Sequence, residues 1–101
     1  MMQRSRILVV DDDSAIRSVV GRILTREHDV TLAAEASEAL ALFEAAQTFH
    51  LILCDLNMPG MSGLELQGYL RLRWPEQANR LVLLTGEIGR ASCRERVFRV
   101  V

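Results

Sequence analysis

Acidic side chains follow two apolar segments of this sequence. Asp11, Asp12 and Asp13 come directly after the apolar run at residues 7–10, and Asp55 follows a second run. Carboxylates held close together repel one another unless a cation lies among them or one of them is protonated. Hard oxygen donors of this kind suit Mg²⁺. Because a carboxylate beside such an ion can attack phosphorus, these residue types indicate phosphoryl chemistry with Asp55 as the nucleophile.

The spacing of apolar residues predicts the elements that carry these acids. Continuous apolar runs are typical of strands buried on both faces, and apolar residues spaced three and four apart are typical of helices. Asp13 or Ser14 can cap the first helix and Ser37 the second, whereas Trp74 before a proline ends the third. The predicted strands are residues 7–10, 30–34, 49–54 and 81–84, and the predicted helices begin near residues 14, 37 and 64.

Strands that alternate with helices predict a parallel sheet with helices on both faces. The carboxyl ends of parallel strands share one edge, which is where ligands bind in open α/β sheets. We therefore expect Asp11, Asp12, Asp55 and Thr85 to converge. The Thr85 hydroxyl can donate a hydrogen bond to a bound phosphoryl group. Asp13 is expected to be a helix cap or a rim acid and not a ligand.

Four segments resemble the response-regulator receiver family. They are residues 9–12, 14–17, 53–63 and 83–86, and the resemblance covers residues 6–86. It implies a flavodoxin-like, doubly wound α/β fold in three αβα layers. The implied strand order is 2-1-3-4, with the fifth strand of the family missing.

The resemblance also implies roles for individual residues. Asp55 would accept a phosphoryl group from a histidine kinase or phosphotransfer protein. Mg²⁺ would be held by Asp12 directly, by Asp11 through water, by Asp55, and by the backbone carbonyl of Asn57. Thr85 would be the switch hydroxyl that reports the phosphoryl group to partners. Such a module assists its own phosphotransfer and dephosphorylation and is not otherwise an enzyme.

The sequence departs from the family after residue 86. Receivers carry a lysine on the fifth strand that contacts the phosphoryl group, and this chain has no lysine. Residues 87–97 resemble one reading frame of a sequencing-library adapter, so we predict an incomplete receiver at residues 1–86 and a foreign tail at 87–101. Without the last strand and helices, Val82 and Leu84 should lose cover, the fourth strand should be an exposed edge, and the chain should have low stability.

Two other functions are compatible with parts of the sequence. A pseudo-receiver, which binds partners without being phosphorylated, is favoured if the tail is native, since the lysine is missing. A phosphatase of the haloacid-dehalogenase type is suggested by Asp55-Leu56-Asn57. That family, however, carries its nucleophile on the first strand, which would leave Asp11 and Asp12 without a role.

Length, charge and composition argue against two further classes, nucleic-acid-binding and membrane-spanning proteins. The 101 residues allow one domain with a formal net charge of −1, and the twelve basic residues, all arginine, are spread along the chain. This distribution argues against a nucleic-acid surface, and the longest apolar runs are too short to cross a membrane. We expect a cytoplasmic domain, with an output partner that the sequence does not identify.

Overall fold

Strands and helices alternate along the chain, as the apolar runs predict. The computed structural model describes residues 4–84 and 98–100. The elements are β1 (Arg6–Val10), α1 (Ser14–Thr25), β2 (Asp29–Ala33), α2 (Ala36–Glu44), β3 (Leu51–Asp55), α3 (Gly63–Arg73), α4 (Pro75–Ala78), β4 (Leu81–Leu84) and β5 (Phe98–Val100).

The first four strands are parallel and lie in the order β2-β1-β3-β4. This confirms the predicted strand order. The prediction that β4 is an exposed edge is wrong, because β5 pairs with it antiparallel, with Leu84 opposite Phe98. β5 therefore supplies hydrogen-bond partners to backbone groups of β4 that an edge strand would leave unpaired. Residues 98–100 alternate apolar residues with Arg99, which is compatible with a strand but does not indicate where that strand pairs.

Two local features of the helices differ from prediction. Ser37 is not the cap of α2, which begins at Ala36 with Glu35 in the cap position and no capping side chain. The Glu38 carboxylate instead accepts a hydrogen bond from the Ala34 N–H at 2.7 Å, which satisfies a nearby donor. The short helix α4 was not predicted. It begins at Pro75, whose fixed backbone angle suits a first helical turn.

The core lies between the sheet and the helices α2 and α3. Its buried side chains come from alternate positions on the strands and from one face of each helix. Val82 and Leu84, which point away from this core, are only half-buried, as predicted for a sheet whose second face is incompletely covered. The low stability of the chain stays a prediction. Residues 85–97, where most of the predicted tail falls, lie outside the described residues.

The helices were also compared with the length that a membrane-spanning helix needs. None of the helices in residues 4–84 has the length and apolar character that crossing a bilayer requires.

Candidate functional site

The parallel arrangement of β1 and β3 brings the acids together. Val10 lies opposite Cys54 in the register of these strands, so Asp11 and Asp55 emerge side by side. Carboxylate oxygens of Asp11, Asp12 and Asp55 all lie within 4.8 Å of one another. The predicted convergence of these three residues is therefore present, and their oxygens are the donor type that a hard divalent cation requires.

Asp11 is the buried member of this group, with 5% of its surface exposed. Its N–H donates to the Ala33 carbonyl at 3.1 Å, which ties it to β2. Its Oδ1 accepts from the Asp13 N–H at 2.9 Å. Its own carbonyl accepts from the Arg17 guanidinium at 2.7 Å. Main chain and side chain of Asp11 are thus both held in place.

Arg17 also belongs to the surroundings of the acids, which the sequence did not predict. Its guanidinium reaches back from α1 to the end of β1. Burial raises the pKa of Asp11, and the positive charge of Arg17 offsets a small part of this rise. The only signal in the sequence was its place one turn into the helix that follows the acids. That position does not by itself show which way the side chain turns.

Asp13 is a helix cap, in agreement with the prediction. Its Oδ1 accepts hydrogen bonds from the N–H groups of Ala15 at 2.9 Å and Ile16 at 3.3 Å. This engages two donors of the first turn of α1 that have no partner inside the helix. Asp13 is exposed and does not belong to the group of three close acids described above.

Asp55 is the last residue of β3, and its side chain is partly exposed. Its Oδ1 accepts a hydrogen bond from the Asn57 N–H at 3.2 Å. The next residue, Leu56, donates its N–H to the Leu84 carbonyl at 2.9 Å, so the strand end is pinned to β4. The role of the Asn57 carbonyl as a ligand stays a prediction.

The turn after Asp55 is closed by the start of α3. The Gly63 N–H donates to the Leu56 carbonyl at 2.9 Å. Ser62 and Glu65 form a capping box, in which the Ser62 hydroxyl accepts from the Glu65 N–H and the Glu65 carboxylate accepts from the Ser62 N–H. Gly60 has a φ of +80°, a conformation that favours glycine. The turn is therefore well defined by its own hydrogen bonds.

The electrostatics of the site favour a bound cation. The pKa of Asp55 is raised to about 6, mainly by burial and also by the charges of Asp11 and Asp12, which together outweigh the lowering effect of the Asn57 hydrogen bond. Burial also raises the pKa of Asp11. Both shifts mean that the ionised acids are destabilised where they stand. A divalent cation among these oxygens would offset both the cost of burying the carboxylates and the repulsion between them, so the residues fit a Mg²⁺ site.

Cys54, next to Asp55, is structural in this fold. Its side chain is fully buried in the core, and burial raises the pKa of its thiol to about 12. A thiol with so high a pKa is a poor nucleophile at neutral pH. This agrees with its interpretation as a small strand residue.

Thr85 and Gly86 lie outside the described residues. Thr85 follows Leu84, whose partner across the sheet is Asp55. Its role as the switch hydroxyl stays a prediction.

Comparison with known proteins identifies the family. A sequence profile described as "Response regulator receiver domain" matches residues 7–97. The chain is 36% identical over 88 residues to a chemotaxis protein CheY homolog of Campylobacter jejuni, covering 85% of this chain and 68% of that protein. It is 33% identical over 87 residues to the response regulator protein FleR of Pseudomonas aeruginosa, covering 86% of this chain and 18% of FleR.

The fold agrees with solved structures of such proteins. The crystal structure of response regulator TrrA from Thermotoga maritima in complex with Mg²⁺-BeF has a TM-score of 0.66 and 34% identity, and the match covers 78% of this chain and 65% of that one. The chain spans less than a third of the length of longer regulators such as FleR. The group of acids, the order of the strands and the sequence similarity all agree. The chain belongs to the response regulator receiver domain family.

Proposed function

We propose that this domain is the phospho-acceptor of a two-component phosphorelay, with Asp55 as the residue that is phosphorylated. The donor would be a histidine kinase or a histidine-containing phosphotransfer protein. The observation that carries the proposal is the group of three carboxylates within 4.8 Å at the end of β1 and β3. A nucleophilic carboxylate next to cation ligands is what transfer to an aspartate requires.

The residues that hold Mg²⁺ in this proposal are Asp11, Asp12, Asp55 and, through its carbonyl, Asn57. Their oxygens match the hard donors that this cation prefers, and the relative TrrA is described in complex with Mg²⁺-BeF. Bound Mg²⁺ would neutralise negative charge on the phosphoryl oxygens. Thr85 is proposed to donate a hydrogen bond to the phosphoryl group and to report its presence.

Phosphotransfer would follow from the position of the Asp55 carboxylate. One of its oxygens forms a bond to phosphorus while the phosphorus–nitrogen bond of the phosphohistidine breaks, and the imidazole nitrogen retains the electron pair. The Asn57 N–H holds Asp55 Oδ1 during this step, which limits rotation of the carboxylate. Water later hydrolyses the acyl phosphate and regenerates Asp55, so the domain acts on its own phosphoryl group.

The proposed phosphoryl donor, a histidine kinase, also bears on where in the cell the domain works and on its partners. Histidine kinases take their phosphoryl group from ATP, so we expect the domain to work in the cytoplasm. The long relatives also suggest that this domain controls an output segment or partner, whose nature is open. Neither the pseudo-receiver nor the phosphatase is favoured by the relatives found.

The proposal is tested with acetyl phosphate as the donor and Mg²⁺ as the cation. The chain should gain one hydroxylamine-sensitive phosphoryl group, located at Asp55 by mass spectrometry. Asp55→Asn should gain none, since the amide is a poor nucleophile of similar shape. Phosphorylation of that variant to the extent of the parent would refute the assignment.

Calorimetric Mg²⁺ titration tests the ligands separately. Asp12→Ala should weaken binding strongly, whereas Asp13→Ala should leave the affinity nearly unchanged and lower only the stability, because Asp13 caps α1. Equal weakening by both substitutions would contradict the ligand set. Mg²⁺ affinity should also fall as the pH drops through about 6, because a proton then competes with the cation for the Asp55 carboxylate.

A further inference from the structure

The first residue of α3 lies against the main chain of the proposed acceptor. A Cβ atom placed on Gly63 would lie 2.5 Å from the Asp55 carbonyl oxygen and 3.1 Å from the Leu56 Cα. It would also lie 2.8 Å from Leu83 Cδ2. The contact with Asp55 is far inside van der Waals distance and involves backbone, which cannot rotate away as a side chain can. Any side chain at this position must therefore push α3 and the end of β3 apart.

Space, and not backbone conformation, is what requires glycine here. Gly63 is the first residue of a regular helix, and among the described glycines the positive φ belongs to Gly60. By contrast, Gly68 lies in the middle of the same helix, and a Cβ there would meet nothing within 4 Å. One helix thus holds one glycine that is in close contact with neighbouring backbone and another that has open space around it.

The position of Gly63 is transmitted to the site through a short path. Its N–H donates to the Leu56 carbonyl, and the next residue, Asn57, donates to Asp55 Oδ1. A displacement of the start of α3 therefore moves both the main chain that carries Asp55 and the loop that orients its carboxylate.

We infer that Gly63 is a positioning residue for the phosphoryl transfer at Asp55. The absence of a side chain lets α3 rest on the Asp55 carbonyl, and this close approach sets where the acceptor carboxylate and the Asn57 carbonyl lie relative to Asp11 and Asp12. The inference rests on the proposed function for the role of these residues. The close contact itself is a property of the fold.

The test compares Gly63→Ala with Gly68→Ala, which is the same substitution in the same helix. Gly63→Ala should lower the initial rate of labelling by acetyl phosphate by up to roughly a hundredfold, since a displacement of about 1 Å has effects of this size. It should also lower Mg²⁺ affinity by roughly tenfold to a hundredfold, as changes to residues that orient metal ligands do. Gly68→Ala should change neither and should raise the melting temperature. Affinity and rate of Gly63→Ala equal to those of the parent would overturn the inference.

A control separates positioning from loss of stability. Leu83→Ala shortens a core side chain whose Cδ2 lies 2.8 Å from where a Gly63 Cβ would stand, and it adds no atom against the Asp55 carbonyl. It should lower the melting temperature but leave Mg²⁺ affinity within about twofold of the parent, at temperatures where the chain is folded. If Leu83→Ala and Gly63→Ala weaken Mg²⁺ binding equally, the effect is general destabilisation and the inference is wrong.

A double variant covers the case in which Gly63→Ala does not fold. Combining it with Leu83→Ala removes one of the two clashes, while the clash with the Asp55 carbonyl remains. The double variant should fold and still bind Mg²⁺ weakly, and full recovery of affinity would refute the inference. Failure of the parent itself to take up phosphate would count against the proposed function only, because the comparison of Mg²⁺ affinities would still test Gly63.

Discussion

The two faces of the sheet differ in how completely they are covered. Residues that lie side by side in the register form rows across the sheet, and alternate rows point to opposite faces. The face toward α2 and α3 is sealed across β1, β3 and β4, since the residues that these three strands point to it are at most 3% exposed: Leu8, Val10, Ile52, Cys54, Leu81 and Leu83. On the opposite face the row Val9–Leu53–Val82 runs from a buried residue at β1 to half-buried residues at β3 and β4.

The helices show the same difference. α2 and α3 bury large apolar side chains such as Phe43 and Leu66, whereas Gly21 is the only buried residue of α1. The apolar stripe of α1 leaves Val19 54% and Ile23 60% exposed. Amphipathic spacing therefore shows which side chains share a stripe. Whether that stripe is buried depends on what packs against it, and in the described part of the chain α1 packs mainly against β1 and β2.

The largest effect is expected from Phe43 on the sealed face. Its ring is buried and contacts the rings of Phe49 and Trp74, at centroid distances of 5.8 and 5.7 Å. Phe43→Ala should lower the free energy of unfolding by about 3 to 5 kcal/mol, which is comparable with the whole stability of many domains. Ile23→Ala on α1 should cost less than about 1 kcal/mol. Urea unfolding measures both, and equal losses would mean that the two faces are equally buried.

Two neighbours on β3 compare the faces at a single strand. Ile52 is fully buried on the sealed face, and Leu53 is half-buried on the other. Ile52→Ala should cost about 2 to 5 kcal/mol. Leu53→Ala should cost clearly less, because a side chain that is already partly hydrated loses less on truncation. A larger loss for Leu53→Ala, measured in the same denaturant series, would show that the second face is covered in solution.

The carboxyl end of β3 differs from both faces because it buries charge instead of hydrocarbon. The pKa of Asp55 is about 6 in the fold and about 3.9 in an unfolded chain. The metal-free fold therefore binds this proton more tightly than the unfolded chain, and loses stability as the pH rises from about 4 to about 6. Asp55→Asn should melt at a higher temperature than the parent above pH 6, and at the same temperature below pH 4.

This measurement requires a chelator to remove divalent cations. Saturating Mg²⁺ should reverse the order of the two proteins, because the cation stabilises only the fold that binds it. A melting-temperature difference that does not vary between pH 4 and 7 would contradict the electrostatic origin.

The smallest effect is expected at the end of α2, the helix that seals the first face. Ala46 has a φ of +66°, a conformation that is strained for residues other than glycine. Its N–H donates a hydrogen bond to the Phe43 carbonyl at 2.9 Å, which holds the backbone in this conformation. Ala46→Gly should raise the free energy of unfolding by about 1 kcal/mol. A destabilised variant in thermal melting would show that the helix end adopts another conformation in solution.

Much of the fold and site follows from local signals in the sequence. Apolar runs located the parallel strands. Polar residues before a periodic stretch located the start of α1 with Asp13 or Ser14 as its cap, and the cap is Asp13. The convergence of Asp11, Asp12 and Asp55 also followed from sequence, because parallel strands necessarily present their carboxyl ends at one edge.

Tertiary structure alone decided the remaining features. Glu38 and not Ser37 satisfies a donor at the start of α2, β5 covers the edge of β4, and Arg17 turns back to the Asp11 carbonyl. Gly63 lies against the Asp55 carbonyl because α3 packs there, although nothing in a glycine indicates what it will touch. Each of these depends on contacts between distant parts of the chain or on a choice among side-chain rotamers. Local propensity carries no information about either, whereas the direction and order of the strands are set by patterns that repeat along the chain itself.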